Sequence, residues 1–204
     1  MGKSIGALNH DDLSISPIYK VSDWTRARDG DDWALMTAIF NDRIESRYLK
    51  PIRLIASDSD IGEFSGFSVL AIDCLIIETL NQFYLGLDET EGEHRKAFWN
   101  FFKGSKHFKN HFTRKIAFTF YSHFRCGILH QAQTKLKSVV RIDRDEMVKP
   151  VSKLTKEGLI IDRVKFHSAL ESEISDYKSN LIENNNDLRK NFIVKMNYIC
   201  GIQA

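Results

Sequence analysis

The sequence predicts an all-α protein, a helical bundle of four to five principal helices with a small β-hairpin insertion. Three observations predict it. Residues 62–86 are apolar nearly all the way round, the pattern of a helix packed on several sides. Residues 33–49 and 118–137 instead space their apolar side chains three and four apart, the pattern of helices with one buried face. Finally, 204 residues with 43% hydrophobic content and only 3 Pro suffice for one domain with a proper core and are too poor in breakers for a disordered chain.

Taken in order, residues 1–29 show little periodicity and read as an N-terminal lead-in to a single helical domain over 30–204. Asp31 and Asp32 place negative charge where a helix N-terminus favours it, and Trp33, Met36, Ile39, Phe40 and Ile44 give that first helix its apolar face. Pro51 marks its end or a kink, because proline lacks a backbone donor. In the hub, residues 62–86, Asp73 and Glu78 interrupt the apolar surface. A buried carboxylate must be paired, and Arg125 or His130 is the expected partner. A short helix over 97–102 ends near Gly104. Further on, Phe120, Phe124, Ile128, Ala132 and Leu136 recur every four residues along the helix at 118–137. Two short β-branched runs, 138–143 (Ser-Val-Val-Arg-Ile-Asp) and 158–164 (Gly-Leu-Ile-Ile-Asp-Arg-Val), flank polar residues and Pro150, which predicts a two-stranded insertion at about 138–163. Phe166, Leu170, Ile174, Tyr177 and Leu181 mark a further helix, residues 184–187 break it, and Phe192, Val194, Met196 and Ile199 mark the last.

The net charge is only +2, yet its distribution is uneven. Between Glu93 and Asp143 there is no acidic residue, and that interval holds 11 Lys and Arg; the other 155 residues carry 18 basic against 27 acidic side chains. Segregated positive charge favours a phosphate-rich partner, since each neutralised phosphate releases counterions. Lys103, Lys106, Lys109, Arg114 and Lys115, interleaved with Phe108 and Phe112, suit a loop that follows an RNA backbone, with rings that either stack on bases or, as such rings more often do, pack into the core.

Arg125 and His130 sit in the middle of the helix at 118–137. On an ideal helix they would lie about 140° apart and about 7.5 Å along the axis. Loosening of the helix at Gly127, or the reach of the long Arg125 side chain, would close that gap. The run Arg125-Cys-Gly-Ile-Leu-His130, followed by Gln131-Ala-Gln-Thr-Lys135, resembles the Arg-x4–6-His motif of the HEPN superfamily (higher eukaryotes and prokaryotes nucleotide-binding).

The resemblance implies two motif copies facing each other across a homodimer and metal-independent cleavage of RNA by 2′-hydroxyl attack. In such a site His130 is the general base or acid and Arg125 holds the scissile phosphate, with Cys126, Glu78, Asp73 and His123 as supporting candidates. It further implies RNA and a second copy as partners, a cognate antitoxin protein if the chain is a toxin or an antiviral defence effector, and no cofactor. Active members often carry Asn, Asp or His after the arginine. Cys126 in that place leaves a second reading, a catalytically silent module that binds RNA or a protein partner.

Three cysteines, Cys74, Cys126 and Cys200, are far apart and odd in number, which points to reduced, packed thiols. His107 and His111 have metal-ligand spacing without an obvious third ligand, and His123 with His130 is the alternative zinc pair. No strong metal cluster emerges, so no metal is expected. The N-terminus lacks a secretory pattern, and no uncharged apolar run reaches the length of a membrane span; the expected location is the cytoplasm.

Overall fold

The computed structural model describes residues 9–153, 156–183 and 186–202. Residues 1–8 of the lead-in, and Asn184 and Asn185 of the expected helix break, lie outside them. The described chain is mainly helical. Part of the expected lead-in is itself a helix, α1 (Val21–Asp29). Trp24 on it is fully buried and meets Phe192 edge-on, with ring centroids 5.6 Å apart. Nine mostly polar residues are too few for a helical period to stand out.

α2 (Trp33–Ile44) is capped by Asp32, which accepts from the Leu35 amide at 2.9 Å. It continues through a π-helical turn (Glu45–Leu49) into α3 (Lys50–Ser57). Pro51 therefore opens the last section of one irregular helix, in a first turn that tolerates its missing N–H. α4 (Gly66–Leu85) stops at Gly86, whose φ of 63° is the left-handed cap that glycine adopts freely. α5 (His94–Gly104) follows.

α6 (Arg114–Phe120), a second π-helical turn (Tyr121–Arg125) and α7 (Cys126–Gln131) make up the helix that carries Arg125 and His130. It ends at Gln131, six residues short of the expected 137. Ala132 adopts a left-handed φ of 52° and the chain turns back along the helix, with the Lys135 amide donating to the His123 carbonyl at 3.1 Å. Phe120, Phe124 and Ile128 are accordingly buried, whereas Ala132 and Leu136 are exposed. Gly127 does not loosen the helix. A Cβ there would stand 2.5 Å from the Gln133 carbonyl oxygen, so glycine is what lets the returning chain pass.

β1 (Val139–Arg141), β2 (Val148–Lys153) and β3 (Lys156–Asp162) form a three-stranded mixed sheet in the order β1-β3-β2. It replaces the expected two-stranded hairpin. The two runs legible in the sequence, β1 and β3, pair in parallel with Val140 opposite Ile161, and the antiparallel partner is β2. Pro150 hides β2 in the sequence, yet an edge strand can accommodate a residue that does not donate.

Asp162 ends β3 and caps α8 (Arg163–Ile182) by accepting from the Lys165 amide at 2.9 Å. α9 (Asn186–Ile199) closes the described fold. α4 lies at the centre, packed on α5, α8 and α9. It is also the one described helix long and apolar enough to cross a membrane, and half of that apolar window is buried inside the fold. Two aromatic clusters flank it. Phe40, Phe83, Tyr177 and Phe192 fill one side, and Phe98, Phe102, Phe108, Phe112, Phe120 and Phe166 fill the other.

Candidate functional site

Four side chains from three helices meet beside the second π-helical turn. Arg125 comes from the last residue of that turn, His130 from α7, Glu78 from α4 and His94 from the first residue of α5. π turns insert an extra residue into the helical ladder and recur at functional sites. Despite the angular offset of a five-residue spacing, Arg125 Nη1 reaches to 3.4 Å from His130 Nε2, so the long side chain closes the gap. A guanidinium only donates. In this contact Nε2 of His130 therefore takes the acceptor's place.

Arg125 Nη2 donates to Glu78 Oε2 at 3.3 Å, and Glu78 Oε1 holds His94 Nδ1 at 2.6 Å. The Tyr121 ring lies 5.7 Å from the guanidinium carbon. Arg125 Nε is buried and has no hydrogen-bond partner. Both bonds that Arg125 does make are long for charge-assisted contacts, which settle at about 2.7–2.9 Å. The guanidinium is thus positioned but loosely engaged, while its side chain keeps 18% of its surface in solvent. Such a group can bind a planar bidentate anion, and the imidazole beside it is a group that can exchange a proton.

The other sequence candidates divide between this site and other places. Glu78 pairs with Arg125, as its interruption of the apolar helix suggests. Asp73 does not join them. It is fully buried and binds His167 Nδ1 at 2.8 Å, with Glu171 3.7 Å from the other ring nitrogen. Burial pushes the Asp73 carboxyl up, outweighing the imidazole. Burial also works against the His167 charge, but the bond to Asp73 and the surrounding carboxylates raise its pKa on balance. His123 is buried and bonded to Ser138 Oγ at 2.9 Å, while His130 is exposed and turned to Arg125. Burial, assisted by Lys135, lowers the His123 pKa. Cys126 is half-buried beside Tyr121, whose phenol is raised by burial and by its hydrogen bond to that thiol. Cys74 and Cys200 are buried free thiols, both pushed up by burial.

The five basic candidates differ in their surroundings. Arg114 and Lys115 line a shallow groove on α6 with Phe118, Thr119, Ser122 and His123. Arg95 and Arg114 both lie over the Phe118 ring, at 4.4 and 5.2 Å from its centroid. Lys106 instead binds Asp176 at 2.9 Å, and Lys115 binds Glu157 at 2.7 Å, so acids from β3 and α8 answer part of the acid-free interval. Lys103 and Lys109 are exposed. Phe108 and Phe112 are core residues rather than stacking platforms, with Phe112 stacked on Phe102 at 3.8 Å. His107 bonds to Asp176 and His111 is exposed, so the expected spacing does not make them a metal pair.

His94 is the site residue that sequence reasoning missed. It follows an acidic turn and lies 16 residues from Glu78, and no periodicity links two residues across that turn. Compared with models of known protein families, with curated proteins and with solved structures, the chain matches none.

Proposed function

We propose that the chain is a metal-independent endoribonuclease of the HEPN type, acting as a homodimer in a toxin or defence role. The observation that carries this reading is the contact between the loosely held Arg125 guanidinium and Nε2 of His130. In this reading His130 removes the proton from a ribose 2′-hydroxyl. The 2′-oxygen attacks phosphorus, the bond to the 5′-oxygen breaks, and a second imidazole protonates that leaving oxygen. The products are a 2′,3′-cyclic phosphate and a 5′-hydroxyl. Arg125 carries the charge that develops on the phosphoryl oxygens. The second imidazole is the facing copy's His130 or, within one protomer, His94 on the far oxygen of Glu78. Leu129, next to His130, is 48% exposed, and Leu75, one helical turn from Glu78, is 43% exposed. A facing protomer would cover both.

Arg125→Ala and His130→Ala should each abolish cleavage of single-stranded RNA while leaving circular dichroism and dimer mass unchanged, because members of one catalytic unit fail together. Cleavage should persist in EDTA. A His130→Ala variant that cuts at the wild-type rate overturns the proposal.

A second reading, RNA binding without cleavage, is favoured by one specific observation: the position after Arg125 holds the half-buried free thiol of Cys126 rather than a phosphate-binding polar group. Wild type that binds RNA and yields no cyclic-phosphate ends selects it.

A further inference from the structure

A second group of chemistry-bearing side chains lies between α8 and the turns that follow α5, and it shares no residue with the Arg125 site. Glu173 and Asp176 are three apart on α8, so they project to the same side. His107 reaches them from the turns, with Nε2 2.6 Å from Asp176 Oδ2. One donor atom from each of the three residues lies within 4.8 Å of the others.

Glu173 is only 5% exposed. Its two oxygens accept from neutral hydroxyls, Tyr84 at 2.6 Å and Ser105 at 2.5 Å, and it forms no ion pair among the described residues. A buried carboxylate served only by neutral donors is costly unless a cation answers it. Burial and the neighbouring Glu173 push the Tyr84 phenol well up, so it remains a donor that fixes the carboxylate's orientation. Lys106 holds the Asp176 carboxyl below its ordinary range and keeps it anionic. Both carboxylates open on a cavity of about 690 Å³ whose wall also carries Ser105, Lys106, Asn100 and Asn180.

We propose that His107, Glu173 and Asp176 bind a divalent first-row transition-metal ion, zinc by preference, with a remaining coordination position facing the cavity. One imidazole and two carboxylates suit zinc, whereas magnesium and calcium take oxygen ligands. Three protein donors leave a tetrahedral ion one open position. The Tyr84 and Ser105 hydroxyls play the orienting part that outer hydrogen bonds play around metal carboxylates. The Lys106 ammonium, 2.9 Å from Asp176 on a side chain that is 65% exposed, is the competing cation. It swings into solvent when the metal enters.

The test uses the full-length protein stripped with EDTA and titrated with zinc against a chromophoric chelator. One zinc per chain is expected, with a zinc-dependent rise in Tm. His107→Ala and Glu173→Gln should weaken binding about hundredfold or more and remove the Tm rise. Lys106→Met should tighten binding about two- to fivefold, the strength of an exposed ion pair, a gain that a folding defect cannot imitate. Wild type that binds no zinc, or variants that bind it as wild type does, would overturn the site. Because the Arg125 site uses none of these residues, RNA cleavage that survives metal removal is compatible with it.

Discussion

Glu78 Oε2 lies 3.3 Å from Arg125 Nη2 and ties the middle of α4 to the last residue of the π turn. The same carboxylate holds His94, so Glu78 sets the position of two groups at once. Glu78→Gln should lower the single-turnover rate of RNA cleavage about hundredfold, the cost of misplacing reacting groups by about 1 Å, with little change in RNA affinity. His94→Gln separates the roles. A loss confined to the rate, with an altered pH profile, marks His94 as the second proton carrier, and an unchanged profile assigns that part to the facing protomer.

The groove on α6 predicts where RNA charge is met. Arg114→Glu with Lys115→Glu should flatten the dependence of log K on log salt by about two units. Lys106→Glu should change it less, because its ammonium already faces Asp176. Filter binding across a salt series measures both, and equal slopes for all three proteins would place the RNA elsewhere.

Gly127→Ala should destabilise the fold by about 1–3 kcal/mol, the cost of forcing atoms into a packed site, because the new Cβ would press on the Gln133 carbonyl. Gly104→Ala, where a Cβ meets nothing within 4 Å, is the control and should be neutral or slightly stabilising. Urea denaturation of the two variants reports the difference directly.

His167 predicts a pH dependence of stability. Its folded pKa is raised, so its contribution is complete below the unfolded value of about 6.5 and is lost as pH rises through the folded value. The stability difference between wild type and His167→Gln should therefore be largest near pH 6 and shrink above the folded pKa. Urea midpoints at several pH values check it; a difference that grows with pH contradicts the assigned pairing with Asp73.

Much of the architecture was legible in residue order. The continuous apolar surface of α4 announced the hub, and the four-residue spacing of Phe120, Phe124 and Ile128 announced the buried face of the motif helix. What stayed hidden depended on contacts between distant parts of the chain or on backbone geometry without a side-chain signature. Ala132 adopts a left-handed φ with no glycine to signal it. Phe108 and Phe112 sit among lysines in sequence but point into an aromatic cluster in space. At the candidate site, Glu78 was legible as a carboxylate on an apolar helix in need of a cation, whereas its choice of Arg125 over His130 rests on the three-dimensional packing. The choice of His167 by Asp73, across 94 residues, could not be read either, since either carboxylate of α4 offered the same chemistry.

The turn-back after Gln131 has a consequence for the sheet. Ser138 Oγ is bonded both to His123 on the π turn and to the Leu159 amide on β3, at 2.9 and 3.0 Å. One hydroxyl thus rivets the central strand to the helix that presents Arg125. What reads in the sequence as an inserted hairpin is a strut: excising residues 138–162 and splicing the ends would leave the imidazole of His123 unmoored and the motif helix without its brace.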